Sequence, residues 1–98
     1  MDKDLEYIEL FEIYKDLLTN KQRELFASHY LFDLSLSEIA EQEGGSRQSV
    51  YDAVKKVKKK LDSYENSLKI RAKNAKLKQL AQVVDSELSR QILEIIED

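Results

Sequence analysis

Side chains that proteins use to contact nucleic acids are concentrated near the middle of this 98-residue chain. Arginine can donate hydrogen bonds to guanine or phosphate, glutamine can pair with adenine, and lysine neutralises phosphate charge. All three residue types occur within one short segment. We therefore predict that DNA or RNA is bound by Arg47, Gln48, Ser49, Tyr51, Lys55, Lys56 and Lys59.

The polar side chains share one face of a helix that is predicted to begin at Arg47. At about 100° per residue, one side of this helix carries Gln48, Asp52, Lys55, Lys56 and Lys59, and the other carries Val50, Val54, Val57 and Leu61. Asp52 would repel phosphates, and it would assist recognition only by accepting a hydrogen bond from a cytosine amino group. The alternative interpretation is a solvated lysine-rich face.

Few residue types suited to catalysis or metal binding are present. The chain has no cysteine and one histidine, which excludes cysteine nucleophiles, thiolate metal sites and most zinc sites and catalytic triads. His29 falls on an apolar helical face, and we interpret it as a packed or hydrogen-bonded core residue. We expect a non-enzymatic protein with no catalytic residue, no cofactor and no metal.

Charge is distributed unevenly along the chain. Residues 1–46 carry 4 basic and 11 acidic side chains, residues 47–78 carry 11 and 3, and residues 79–98 carry 1 and 5. The basic middle can attract phosphate locally, although the acidic ends weaken its field at a distance. The apolar fraction of 42% indicates a folded chain, and 98 residues suit a single domain, 1–98.

Helix signals run along the whole chain and predict an all-α fold. The sequence contains no proline, so little interrupts helix formation. Thr19 with Gln22 and Ser35 with Glu38 have the form of capping boxes, which satisfy backbone N–H groups in the first turn of a helix. The first pair predicts a helix that ends near Asp33.

A helix-turn-helix unit is predicted at about residues 35–61. Its first helix covers 36–43, Gly44 can end that helix in the left-handed conformation, and Ser46 can cap the second helix. In such a unit the first residues of the second helix contact base edges in the major groove.

Residues after this unit, about 62–98, are predicted to form a helical extension. The apolar spacing from Leu77 to Ile95 indicates one last helix, with more apolar surface than one neighbouring helix covers. We predict a homodimer formed mainly by the C-terminal half. In the alternative arrangement the last helix folds back on the long helix within a monomer.

Three segments carry a family resemblance, namely Leu17-Leu18-Thr19-Asn20-Lys21-Gln22, Leu34-Ser35-Leu36-Ser37-Glu38-Ile39-Ala40-Glu41 and Ser46-Arg47-Gln48-Ser49-Val50-Tyr51-Asp52. They resemble the YlxM family, and the pattern covers about residues 7–70. A less close resemblance, to the promoter-reading helix-turn-helix of bacterial sigma factors (region four), is carried by residues 18–23, 36–40 and 57–61. The YlxM family usually has an apolar residue where this chain has Gly45.

The YlxM resemblance implies a small cytoplasmic regulatory protein linked to components of the signal recognition particle. No apolar run exceeds three residues, which also leads us to expect a cytoplasmic protein without membrane insertion. The alternative function is that of a protein or ribonucleoprotein adaptor, in which the helix-turn-helix is a scaffold that does not bind DNA.

Overall fold

The computed structural model describes residues 2–97, and all regular structure in that range is helical, as predicted. The helices are α1 (Asp2–Tyr14), α2 (Asn20–Tyr30), α3 (Leu36–Glu43), α4 (Arg47–Leu68), α5 (Ile70–Ala81) and α6 (Ser86–Glu97), with a 3-10 turn at Lys15–Leu17. The chain divides into two compact units, of which the first ends at Ser67 and the second begins at Leu68. Within residues 2–97, no helix combines the length and apolar character needed to cross a membrane.

Both predicted capping boxes are present. The Thr19 hydroxyl accepts the Gln22 N–H at 3.1 Å, and the Gln22 side chain accepts the Thr19 N–H at 3.1 Å. Ser35 and Glu38 form the same reciprocal pair at 3.0 Å. Because each box satisfies backbone donors that lack helical partners, α2 and α3 begin at the predicted positions.

The C-terminal end of α2 differs from the prediction, because the helix ends at Tyr30 and not near Asp33. Asp33 has a φ of 58°, in the left-handed region. The next amide, the N–H of Leu34, donates to the Ser28 carbonyl at 2.9 Å. This bond satisfies a carbonyl in the last turn of α2 and leads the chain into α3.

The first apolar cluster joins α1, α2 and the C-terminal part of α4. Its buried members are Leu10, Phe11, Tyr14, Leu18, Phe26, Val57 and Leu61. Phe26 stacks against Phe11 with ring centroids 4.6 Å apart, and against Tyr30 at 4.5 Å. Aromatic side chains contribute large buried areas, so this cluster forms the main support for α4.

Hydrogen bonds also link α1 to α4. The Tyr14 hydroxyl donates to Glu65 Oε1 at 2.6 Å, and the Tyr7 hydroxyl donates to Asp62 Oδ2 at 2.8 Å. Burial and, next, the hydrogen bond to the Asp62 carboxylate raise the pKa of Tyr7 to about 12. The neutral phenol is therefore the form that this packing favours.

The second apolar cluster lies inside the helix-turn-helix unit. Its buried members are Ile39, Ala40, Val50 and Val54, and the partly buried Leu25, Tyr30, Leu34 and Leu36 pack against them. Ala40, with 6% of its surface exposed, has no bulky side chain to separate α3 from α4. Tyr30 packs against both clusters, and it connects the helix-turn-helix to the main core.

The second unit contains two helices where the sequence analysis predicted one. Lys69, with a φ of 56°, precedes α5, which contacts α6. The predicted last helix is interrupted between Ala81 and Ser86. The Asp85 carboxylate accepts the Leu88 N–H at 2.9 Å and so caps α6, because a short acidic side chain competes well for the first-turn donors. The prediction of one continuous last helix was therefore wrong.

Candidate nucleic-acid interface

The turn between α3 and α4 is closed by backbone and side-chain hydrogen bonds. Gly44 has a φ of 76°, and the Gly45 N–H donates to the Ala40 carbonyl at 3.0 Å. The Ser46 hydroxyl accepts the Ser49 N–H at 3.0 Å, while the Ser49 hydroxyl accepts the Ser46 N–H at 3.1 Å and donates to the Ser46 carbonyl at 2.8 Å. Ser49, a predicted nucleic-acid contact, thus has its hydroxyl engaged in the cap that fixes the start of α4.

The predicted division of α4 into two faces is confirmed. The buried residues of α4 are Val50, Val54, Val57 and Leu61. All seven predicted contact residues are exposed, namely Arg47, Gln48, Ser49, Tyr51, Lys55, Lys56 and Lys59. Since the apolar face is held by both clusters, the polar face is presented outward from a fixed backbone.

Asp52 contacts a neighbouring side chain on this face. The Gln48 amide nitrogen donates to Asp52 Oδ1 at 3.0 Å. A glutamine amide has two N–H donors and one carbonyl acceptor, so this bond leaves one donor and the acceptor available. Those are the two groups that glutamine uses to pair with adenine. Asp52 can therefore orient Gln48 for base contact, a role that the sequence analysis did not identify.

The lysine run from Lys55 to Lys60 divides between outward and inward positions. Lys55, Lys56 and Lys59 are exposed and surround, with Asp52, a shallow depression of about 230 Å³. Lys60 instead donates to the Gln22 side-chain oxygen at 3.3 Å. Three lysines of the run are thus available to phosphates on one face.

Lys58 occupies a separate, half-buried position. Its Nζ lies 5.1 Å from the ring centroid of Tyr7 and 5.0 Å from that of Tyr30, in cation–π contact with both. The sequence pattern placed Lys58 in the lysine cluster 55–60, as part of a solvated face or as a contact to nucleic acid or an acidic partner, and did not predict this position. The only signal was its position beside the buried Val57, at the edge of the apolar stripe.

The predicted hydrogen bond of His29 is confirmed, although the side chain is half-buried and belongs to neither apolar cluster. Its Nδ1 lies 2.8 Å from the Leu34 carbonyl oxygen, and because a carbonyl only accepts, Nδ1 carries the proton. Within the described part of the chain, no group of three or more histidine and acidic residues is arranged to hold a metal.

Comparison with known proteins places these features in a family. The sequence profile described as "Putative helix-turn-helix protein, YlxM / p13 like" matches residues 1–98, a longer range than the predicted 7–70. UPF0122 protein BH2485 of Halalkalibacterium halodurans is 41% identical over 102 residues, which cover 99% of this chain and 94% of that protein. UPF0122 proteins of Bacillus thuringiensis and Bacillus mycoides are each 43% identical over 97 residues, covering 90% of this chain and 88% of theirs.

Proposed function

The chain belongs to the YlxM/p13-like family of helix-turn-helix proteins, and on that premise we propose that it is a non-enzymatic regulatory protein that binds duplex DNA through α4. The observation that carries this proposal is the common exposure of Arg47, Lys55, Lys56 and Lys59 on α4. The helix start is fixed by the reciprocal serine cap. A basic helix face on a rigid support is what phosphate binding requires.

The first turn of α4 would read bases and the next turns would hold the backbone. Recognition helices place their N-terminal residues against base edges in the major groove. Gln48 lies there, oriented by Asp52, and Arg47 at the start of the helix would contact a phosphate beside the bases that Gln48 reads. Lys55, Lys56 and Lys59 follow along the same helix, where they would neutralise phosphates.

The charge distribution supports one orientation on DNA. Residues 1–46 carry 11 acidic and 4 basic side chains, so the helices that precede α4 repel phosphates on balance. The α4 face attracts them. DNA phosphates repel the acidic residues and attract the basic ones. The protein would therefore approach DNA with α4 first.

The salt dependence of duplex binding tests this proposal. Four phosphate contacts predict a slope of log affinity against log salt of about −3.6. Replacing Lys55, Lys56 and Lys59 by glutamine leaves Arg47 and should reduce the slope to about −0.9. Affinity would be measured by fluorescence anisotropy of a labelled duplex.

A matched control uses the exposed lysines Lys73, Lys76 and Lys78 of α5. Replacing these three by glutamine changes the net charge equally and should leave the slope near that of the parent. If the α4 triple variant and the parent have the same slope, the basic face does not contact phosphates.

A homodimer formed by the C-terminal half is the second part of the proposal. In the second unit, among described residues, only Ala81 is buried, whereas Leu80, Val83 and Ile95 are 56%, 78% and 73% exposed. A unit of this size cannot bury an adequate core alone. A second copy supplies an identical apolar surface, and paired helix-turn-helix units can read two half-sites.

Family resemblance supports a link to the signal recognition particle pathway and a cytoplasmic location. The alternative function, an adaptor for a protein or ribonucleoprotein, is favoured by the exposed Phe32, at 71%, in the loop beside the helix-turn-helix. Capture of particle components by the tagged chain, with Phe32→Ser as a comparison, tests this alternative. Capture by the parent that is lost in Phe32→Ser, together with no duplex binding by the parent, would favour the adaptor.

A further inference from the structure

A cavity of about 320 Å³ lies beside α4 within the first unit, and it shares Tyr51 and Lys55 with the outward basic face. His29 and Tyr30 of α2 form one wall, and Tyr51 and Val54 of α4 form another. This volume is at the lower end of the range for small-molecule sites, about 300–1,000 Å³. It therefore suits a small ligand with no more than one flat ring system.

The walls favour an aromatic ligand. Tyr30 is held in place because its ring stacks on Phe26 at 4.5 Å. Tyr51, which is 46% exposed, supplies a second ring at the cavity. Aromatic side chains bind nucleobases by stacking, whatever the base.

The charges favour an anion. Lys55 and Lys58 line the cavity, and none of its lining residues is acidic. Among the described residues, neither lysine forms an ion pair with a carboxylate. Lys58 is held by the Tyr7 and Tyr30 rings, so its positive charge stays at the cavity without being neutralised.

His29 adds a polar group with a defined hydrogen-bonding state. Nδ1 lies 2.8 Å from the Leu34 carbonyl oxygen, and in the tautomer with the proton on Nδ1 the other nitrogen, Nε2, is an acceptor. The amino groups of adenine and cytosine are donors that such an acceptor can bind.

We propose that this cavity binds a nucleoside phosphate, with the base between the aromatic walls and the phosphate at Lys55 and Lys58. The ligand is either a free mononucleotide or an unstacked nucleotide within a single strand. The site goes beyond duplex binding by α4, because Lys58, Tyr30 and His29 are not part of that face.

The test is a chemical-shift titration of the ¹⁵N-labelled full chain. The probes are adenosine 5′-monophosphate, adenosine, ribose 5-phosphate and an adenine hexanucleotide single strand. The monophosphate should bind about tenfold more tightly than adenosine or ribose 5-phosphate, since each lacks one of the two contacts. Amide shifts should be centred on Tyr30, Leu36 and Val54.

Two variants of Lys58 distinguish the loss of its positive charge from a general loss of folding. Lys58→Gln should weaken binding of the monophosphate about tenfold, whereas Lys58→Arg, which keeps the charge, should retain it. Lys73→Gln, at an exposed position of α5 outside the cavity, is the matched control and should have little effect. Duplex binding measured on Lys58→Gln should be unchanged, so failure of this site and failure of the duplex proposal are distinguishable.

The results of the titration distinguish three cases: a single strand as the ligand, a free mononucleotide as the ligand, and binding of phosphate alone at the basic face. Tighter binding of the single strand than of the monophosphate, with the same shifts, identifies the strand as the ligand, and equal binding identifies the free nucleotide. Equal binding of ribose 5-phosphate and the monophosphate, with shifts centred on Lys56 and Lys59, overturns the proposal, because only phosphate is then bound at the basic face. Absence of saturable shifts also overturns it.

Discussion

At the scale of single residues, Asp52 would oppose phosphate binding by the α4 face and still assist the proposed base recognition. Its carboxylate reduces the positive charge of the α4 face, yet Oδ1 accepts the hydrogen bond that orients Gln48. Affinity for any duplex and discrimination between base pairs should therefore respond differently to its replacement.

Asp52→Ala should raise affinity for random duplex and reduce base discrimination about tenfold, because Gln48 loses its partner and one bidentate base contact is worth about 1–3 kcal/mol. Asp52→Asn removes the charge but keeps a carbonyl acceptor, so it should retain most of the discrimination. Competition between a selected site and random duplex measures both quantities. Equal discrimination in the two variants would contradict the orienting role.

The raised pKa of the Tyr7 hydroxyl leads us to predict a loss of stability at alkaline pH. Its pKa is raised from 10.0 to about 12 by burial and by the Asp62 hydrogen bond. Below pH 10 both folded and unfolded chains keep the proton; above it, the unfolded chain loses the proton first, so the free energy of unfolding falls as pH rises towards 12. Urea unfolding of the parent and Tyr7→Phe should show an advantage of the parent that shrinks over this range. A pH-independent difference would contradict this assignment.

At the scale of elements, the α3–α4 turn depends on a cap that occupies the space beside Gly45. Gly45 is not in the left-handed region, so a side chain meets no backbone strain there. A Cβ would lie 3.0 Å from Ser49 Oγ, which is engaged with Ser46. A side chain at position 45 would therefore compete with this chain's serine cap.

Gly45→Ala made in a Ser49→Ala background should stabilise the protein by about 0.4–1 kcal/mol, because the unfolded chain loses freedom. In the parent background the gain should be smaller, since Ser49 must move. Urea unfolding of the four proteins in this cycle measures the difference. The same gain in both backgrounds would show that Ser49 does not restrict the turn.

The starts of α2, α3 and α4 could be predicted because their signals are local. A capping residue and its partner lie within one turn of each other, as with Ser35 and Glu38, so no knowledge of packing is needed. The exposed α4 face was predictable for a similar reason, because a 3.6-residue period determines which residues share a side.

The features that the sequence analysis missed depend on competition between signals or on tertiary contacts. Leu77, Leu80, Val84 and Leu88 keep helical spacing across the break before α6, and this continuity outweighed the Asp85 cap. The cavity at Tyr30 arises from residues of three helices. No spacing within one segment predicts such a site.

At the scale of the whole molecule, the second unit predicts concentration-dependent assembly. The molar mass by light scattering should fall on dilution from twice 11.5 kDa towards 11.5 kDa, because a dimer dissociates by mass action. Val83→Ser with Ile95→Ser should shift the transition to higher concentration. Leu5→Ser in α1, a position 62% exposed, is the matched control and should not. A constant 11.5 kDa over the dilution series rejects the dimer.

The contact of Tyr30 with both apolar clusters has a consequence for the association rate of the proposed complex with DNA. Because Tyr30 packs against both apolar clusters, opening the helix-turn-helix alone would expose part of the main core, and the two clusters should unfold together. The reading helix is then already ordered in the free protein. The proposed association with DNA would then need no folding step, and its rate would be limited by diffusion and orientation.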